Sequence, residues 1–181
     1  SGVIHSGLYY KPGSLKARNC IEGYHQLLDF CQKHEIPHDI CGKIVVATRP
    51  EEIPQLNILY ERGQQNGLQG LEMLSAAQMR EIEPHVAGVQ GIKVPQTGII
   101  DYKAVAQKYA QLIQEKGGTI RFGEKVSSIS EHQGISNVVT QKGSYEGKLI
   151  VNCAGLYSDR VAQLTERQTL HHTFPRGILR A

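Results

Sequence analysis

Leu149-Ile150-Val151-Asn152-Cys153-Ala154-Gly155-Leu156-Tyr157-Ser158-Asp159 decides the fold class of this 181-residue chain. Three consecutive aliphatic residues predict a buried strand over Lys148 to Asn152. Ala154-Gly155 predicts the tight turn through which such a strand enters a helix starting near Ser158. Strand, small-residue turn and helix start together place backbone N–H groups where an anionic cofactor can lie against them. Alone, one apolar strand followed by Ala-Gly serves packing more often than ligand contact. The rest of the chain decides between the two.

Working back from that stretch, β segments are predicted over Thr119 to Phe122, Val126 to Ser130 and Ser136 to Gln141, with turns at Gln133-Gly134 and Lys142-Gly143. Upstream lies a helix capped by Asp101, with Val105, Tyr109, Leu112 and Ile113 on one face and Gly117-Gly118 closing it. Ser75 caps a short helix, Ala76 to Ile82, that stops before Pro84. Gly91 to Pro95 reads as a strand, and Ile99-Ile100 follow Gly98. Pro50-Glu51-Glu52 opens a helix that runs to about Gln65 and ends at Asn66-Gly67. Ile44 to Ala47 make a short β run. Ser14 caps the first helix, whose apolar positions from Leu15 to Cys31 keep a 3.6-residue period to about His34, and residues 1–13 read as a loop. The order is mixed α/β, and it looks incomplete at both ends, without the first strand of a doubly wound sheet.

Bulk properties narrow the function classes. With 20 Lys and Arg against 17 Asp and Glu, the formal charge is +3. The basic residues are scattered, which disfavours nucleic-acid binding. Four cysteines (Cys20, Cys31, Cys41 and Cys153) without a C-x-x-C pair are too sparse for a secreted disulfide scaffold, and a reducing, cytoplasmic compartment is expected. No apolar run approaches a bilayer span. A peripheral membrane or quinone contact through a longer parent protein stays open, as does the oligomeric state.

Several chemistries are set aside. His34-Glu35-Ile36-Pro37-His38 fits H-E-x-x-H literally, but Pro37 breaks the helix that would put both histidines on one face, so no metal is expected. There is no G-x-S-x-G elbow, no Walker loop and no G-x-G-x-x-G. The tail from Thr165 has little periodicity, and His171-His172 read as solvated. One further segment, Ser1-Gly2-Val3-Ile4-His5-Ser6-Gly7-Leu8-Tyr9-Tyr10, combines glycines with polar groups. Its glycines permit close backbone approach to a flat ligand, His5 can exchange a proton near neutral pH, and Tyr9 or Tyr10 can hydrogen-bond a carboxylate. The competing reading is a satisfied loop histidine beside two packing tyrosines.

Four runs carry a resemblance: Ser1 to Ala17, Cys41-Gly42-Lys43, Thr97-Gly98-Ile99-Ile100-Asp101-Tyr102, and Cys153-Ala154-Gly155-Leu156-Tyr157-Ser158-Asp159-Arg160. They resemble the L-2-hydroxyglutarate dehydrogenase/oxidase family, within the D-amino-acid-oxidase-like FAD flavoproteins. The match extends from Ser1 to about Leu164.

The resemblance implies FAD as cofactor and a small 2-hydroxy acid as substrate, with hydride passing from C2 of L-2-hydroxyglutarate to the flavin to give 2-oxoglutarate. It implies cofactor contacts from Ser1, Gly2, His5, Ser6, Gly7, Val126, Ala154 and Gly155. His5 is the candidate base, and Tyr9 and Tyr10 are candidate substrate ligands. It divides the chain into flavin-domain segments at 1–41 and 119–164 around a substrate-domain segment at 42–118, with an atypical tail at 165–181. The fold expected is an incomplete FAD-binding Rossmann-like part joined to part of a mixed-sheet substrate domain. The family's dinucleotide glycines and acidic ribose ligand would lie upstream of Ser1. After Leu164 only Phe174-Pro175-Arg176-Gly177 is similar to the family, in altered order. Two rivals remain: a non-catalytic scaffold or binding domain, and a related flavoenzyme for another 2-hydroxy acid, an amino acid or glycerol phosphate. The electron acceptor is open.

Overall fold

Helix-compatible periodicity and well-placed caps account for most of the architecture. The computed structural model describes residues 2–165, so the cofactor candidate Ser1, the pair His171-His172 and the run Phe174 to Gly177 lie outside the described residues. The order is β1 (Val3–Ile4), α1 (Leu15–Lys33), β2 (His38–Asp39), β3 (Lys43–Ala47), α2 (Ile53–Gln65), β4 (Glu72–Ser75), α3 (Ala76–Ile82), β5 (Gln90–Val94), β6 (Gly98–Ile100), α4 (Tyr102–Glu115), β7 (Val126–His132), β8 (Ile135–Thr140), β9 (Ser144–Gly147) and α5 (Ser158–Ala162). The described residues divide into two units between Gly118 and Thr119.

Three N-caps anticipated from sequence are formed. The Ser14 hydroxyl accepts from the Ala17 N–H at 3.2 Å. Ser75 and Gln78 close a reciprocal capping box. Asp101 accepts from the N–H groups of Lys103 and Ala104 at 2.8 and 3.3 Å. Each satisfies donors that the first helical turn leaves open, a contribution of about 1 kcal/mol apiece.

In the first unit, β1 and β2 flank β6 antiparallel, and β3 and β4 flank β5 antiparallel. Two cores result. Leu8, Ala47, Leu56, Leu68, Ile92 and Val94 pack one of them between α2 and the β3-β5-β4 sheet. The other gathers Ile4, Cys31, Ile36, Ile100 and Val105 beneath α1 and α4. The second unit is an antiparallel meander, β7-β8-β9, whose first turn sets Gln133 and Gly134 both at positive φ, 51° and 77°. That pairing matches the right-handed twist of the two strands it joins.

Several sequence expectations need correction. The strand expected over Lys148 to Asn152 is not formed. The meander ends at β9, and beyond it Leu149 and Val151 are 81% and 74% exposed. A strand exists only where a partner takes its N–H and C=O groups, and no described residue pairs with this run. Thr119 to Phe122 is likewise irregular for want of a ladder. Residues 1–13 are not wholly loop, because Val3 and Ile4 pair with Ile99 and Gly98. β2 and β4 had no readable alternation and owe their existence to β6 and β5. Among the described residues the sheets are antiparallel, with one isolated parallel bridge from Ile129 to Thr165. No described helix is long and apolar enough to cross a membrane.

The H-E-x-x-H run breaks as Pro37 predicts. α1 ends at Lys33, Glu35 takes a φ of 54°, and His38 stands in β2 with its Nδ1 2.8 Å from the Ile36 carbonyl.

Candidate active site

Residues 4–8 are tied at each end to a different core. Ile4 belongs to the α1/α4 cluster and Leu8 to the α2/sheet cluster, each 1% exposed. Alternation along an extended segment turns Ile4 and Ser6 inward and His5 outward. Gly7, at a φ of 99°, then reverses the backbone so that Leu8 re-enters the protein. Tyr9 and Tyr10 follow on the surface, 45% and 38% exposed. The outcome is a short loop with an apolar anchor on either side and three exposed groups: an imidazole and two phenols.

Hydrogen bonds hold this loop from behind. The buried Ser6 hydroxyl pairs with Thr97 Oγ1 at 3.3 Å. The Cys20 thiol donates to the His5 carbonyl at 3.6 Å, and burial pushes that thiol's pKa up, keeping it a neutral donor. Asn66, the C-cap of α2, donates through Nδ2 to the Gly7 carbonyl at 3.0 Å and to the Tyr10 carbonyl at 2.9 Å. Tyr102 donates to the Val3 carbonyl at 3.1 Å. The backbone of the loop is therefore fixed. The His5 ring makes no hydrogen bond among the described residues.

Gly2 has a packing reason to be glycine. A Cβ there would come within 2.8 Å of the Ile100 carbonyl oxygen, while the Gly2 carbonyl accepts from the Ile100 N–H at 2.8 Å. Ser6 and Gly7 are similarly committed to contacts within the protein. Tyr9 is not isolated either: its phenol oxygen accepts from Lys43 Nζ at 3.1 Å, and that ammonium lies 4.5 Å from the ring centroid. No hydrogen bond engages the Tyr10 hydroxyl among the described residues.

The remaining candidates belong to the second unit. Val126 opens β7 opposite Thr140 and is half-buried. The Asn152 to Ser158 turn is stitched by its own side chains. Asn152 Oδ1 accepts from the Ala154 N–H at 3.1 Å, Asn152 Nδ2 donates to the Ser158 carbonyl at 2.8 Å, and the Ser158 hydroxyl donates to the Gly155 carbonyl at 2.8 Å. Gly155 sits at a φ of 58°, and a Cβ on it would meet nothing within 4 Å. The N–H groups of Gly155 and Leu156 have no partner among the described residues. The open side of this turn therefore suits a flat or anionic group approaching the backbone.

Three residues escaped the sequence reading: Asn66, Thr97 and Lys43. Asn66 was seen only as a helix terminator, and Thr97 and Lys43 only as members of matching runs. Their partners are 59, 91 and 34 positions away, and no local pattern signals such pairings.

Comparison with known proteins places these features in context. The family model described as FAD dependent oxidoreductase matches residues 1–178. L-2-hydroxyglutarate dehydrogenase of Indibacter alkaliphilus is 55% identical over 170 residues, covering 94% of this chain and 43% of that protein. The human mitochondrial L-2-hydroxyglutarate dehydrogenase is 41% identical over 177 residues, covering 91% of this chain and 38% of its own length. Among solved structures, the FAD-bound L-alpha-glycerophosphate oxidase of Mycoplasma pneumoniae superposes with a TM-score of 0.82 at 30% identity, over 91% of this chain and 45% of that one. The chain thus spans about two fifths of the length of the curated relatives it matches.

Proposed function

This chain belongs to the FAD dependent oxidoreductase family, and from that premise we propose that it forms part of a longer enzyme oxidising L-2-hydroxyglutarate to 2-oxoglutarate. FAD, when bound, supplies the acceptor for the hydride leaving C2. His5 takes the proton from the C2 hydroxyl as the carbonyl forms, and Tyr9 and Tyr10 receive substrate carboxylate oxygens.

The observation that carries this reading is the loop itself, with His5 exposed between the buried anchors Ile4 and Leu8. A general base must present a free nitrogen at a reproducible place. His5 meets that requirement, with its ring exposed and the backbone on either side of it held. In the second unit, the open turn at Ala154 and Gly155 offers backbone N–H groups that suit FAD; Val126, Gly2, Ser6 and Gly7 are cofactor contacts on the strength of the resemblance. Ser1, outside the described residues, is grouped with them. The division into segments 1–41, 42–118 and 119–164, a cytoplasmic location, and a membrane or quinone contact through the rest of the enzyme belong to the same proposal.

His5→Ala in the FAD-loaded enzyme tests it. Flavin reduction should slow by about 10²- to 10⁴-fold while FAD content stays near that of the parent. Unchanged reduction rates would remove His5 from the role of base. The 30% identity to an L-alpha-glycerophosphate oxidase favours one alternative substrate. Steady-state comparison of L-2-hydroxyglutarate with glycerol 3-phosphate decides between them.

A further inference from the structure

Lys43 opens β3 immediately after Gly42, whose φ of 75° and whose N–H bond to the Thr97 carbonyl at 2.7 Å fix where the strand begins. Its ammonium is directed to the Tyr9 phenol, 3.1 Å from the hydroxyl oxygen. Lys93 reaches Glu72, and Arg18, Arg49 and Arg121 each reach a glutamate. Lys43, like several other lysines, has no carboxylate within ion-pair distance among the described residues, and what sets it apart is its bond to a phenol.

The donor inventory of this pair is one-sided. An ammonium carries three N–H donors and no acceptor, and one donor is spent on Tyr9. Because the Tyr9 oxygen is accepting from Lys43, its own O–H hydrogen is free to point elsewhere. Tyr9 and Lys43 thus present only donors to whatever approaches, together with a full positive charge. That combination matches an anionic acceptor with two oxygens, a carboxylate. Tyr9 is also held in place, through the Asn66 bonds to the Gly7 and Tyr10 carbonyls on either side of it, and it lies four positions after His5.

We propose that Lys43, oriented by Tyr9, binds the carboxylate remote from the reacting carbon and so selects dicarboxylic 2-hydroxy acids over monocarboxylic ones. This rests on the reading of His5 as the base of a 2-hydroxy-acid oxidoreductase and adds the source of its substrate preference. A charge-assisted hydrogen bond of this kind discriminates by about 10- to 100-fold.

The test compares the FAD-loaded enzyme and its Lys43→Met and Lys43→Arg variants on L-2-hydroxyglutarate and on its neutral 5-amide. Lys43→Met should lower kcat/KM for the dicarboxylate about 30-fold, mainly through KM, and leave the amide within about 2-fold. Lys43→Arg should restore most of the preference, because the charge is kept. The amide rate and FAD content report whether each variant is folded. If the unsubstituted enzyme is active and Lys43→Met loses both substrates equally, or neither, the Lys43 assignment falls while the enzyme reading stands. If the unsubstituted enzyme oxidises neither compound, both fall together.

Discussion

The Asn66 side-chain amide donates a 2.9 Å hydrogen bond to the carbonyl of Tyr10, 56 positions away in sequence. Its other bond, to Gly7, brackets the turn that carries Tyr9. Asn66→Ala removes both donors and leaves two carbonyls facing a buried site, at a cost of about 2–3 kcal/mol. Asn66→Asp should be worse at neutral pH, because it sets carboxylate oxygens against those carbonyls. Urea midpoints for the two variants check the order. In the FAD-loaded enzyme, kcat should fall with FAD content retained.

Leu8 anchors the loop's C-terminal side in the α2/sheet core at 1% exposure. Leu8→Ala should destabilise by about 2–5 kcal/mol, combining lost burial with a cavity in the core cluster that includes Leu56 and Ile92. Leu8→Met conserves volume and should cost under about 1.5 kcal/mol. Chemical denaturation of both variants measures the difference, and equal losses would contradict the packing described.

Gly98 lets β6 lie close against β2, and a Cβ there would be driven into the Asp39 carbonyl oxygen and the Ile40 side chain. The obstacle is backbone, which cannot swing aside as a flexible side chain can. Gly98→Ala should therefore cost about 1–3 kcal/mol and loosen β1, which pairs with the same strand. Hydrogen exchange at the Ile100 N–H, bonded to Gly2, should accelerate. Unchanged protection would mean that the strands separate without loss.

Glu124 accepts from the Tyr145 hydroxyl at 2.8 Å and the Thr140 hydroxyl at 2.9 Å, with Arg121 3.8 Å away. Those hydrogen bonds, the one from Tyr145 foremost, hold its carboxyl below the usual range. With the folded pKa below the unfolded value, the stabilisation is complete above the unfolded value of about 4.3 and is lost as pH falls through the folded pKa. Acid titration monitored by circular dichroism should show the meander weakening below about pH 4.3. Glu124→Gln should flatten that acid limb and be less stable at neutral pH.

Local chemistry made much of the fold legible. Ser14, Ser75 and Asp101 announced three helices because a cap acts within three residues of itself, and Gln133-Gly134 announced its hairpin through Gly134, which takes a positive φ freely, whereas the positive φ of Gln133 is imposed by the turn. The stretch Leu149 to Asp159 was half legible. Its turn and helix start are encoded by Asn152, Gly155 and Ser158 acting on near neighbours, while its strand depends on a partner that no described residue provides. Apolar character told where burial was wanted and not whether it was met.

The same division runs through the candidate site. The sequence by itself determined the chemical groups on offer, an imidazole at His5 and phenols at Tyr9 and Tyr10, and the family resemblance; the roles proposed for those groups come from residue type and position in the loop. Only the tertiary structure decided that Ile4 and Leu8 sink into separate cores and leave His5 outside. It alone brought Asn66 and Lys43 to the Tyr9 turn. The physical reason is range: caps, turns and periodicity are settled within a few residues, whereas an anchor or a charge partner is chosen by which distant surfaces the chain buries together.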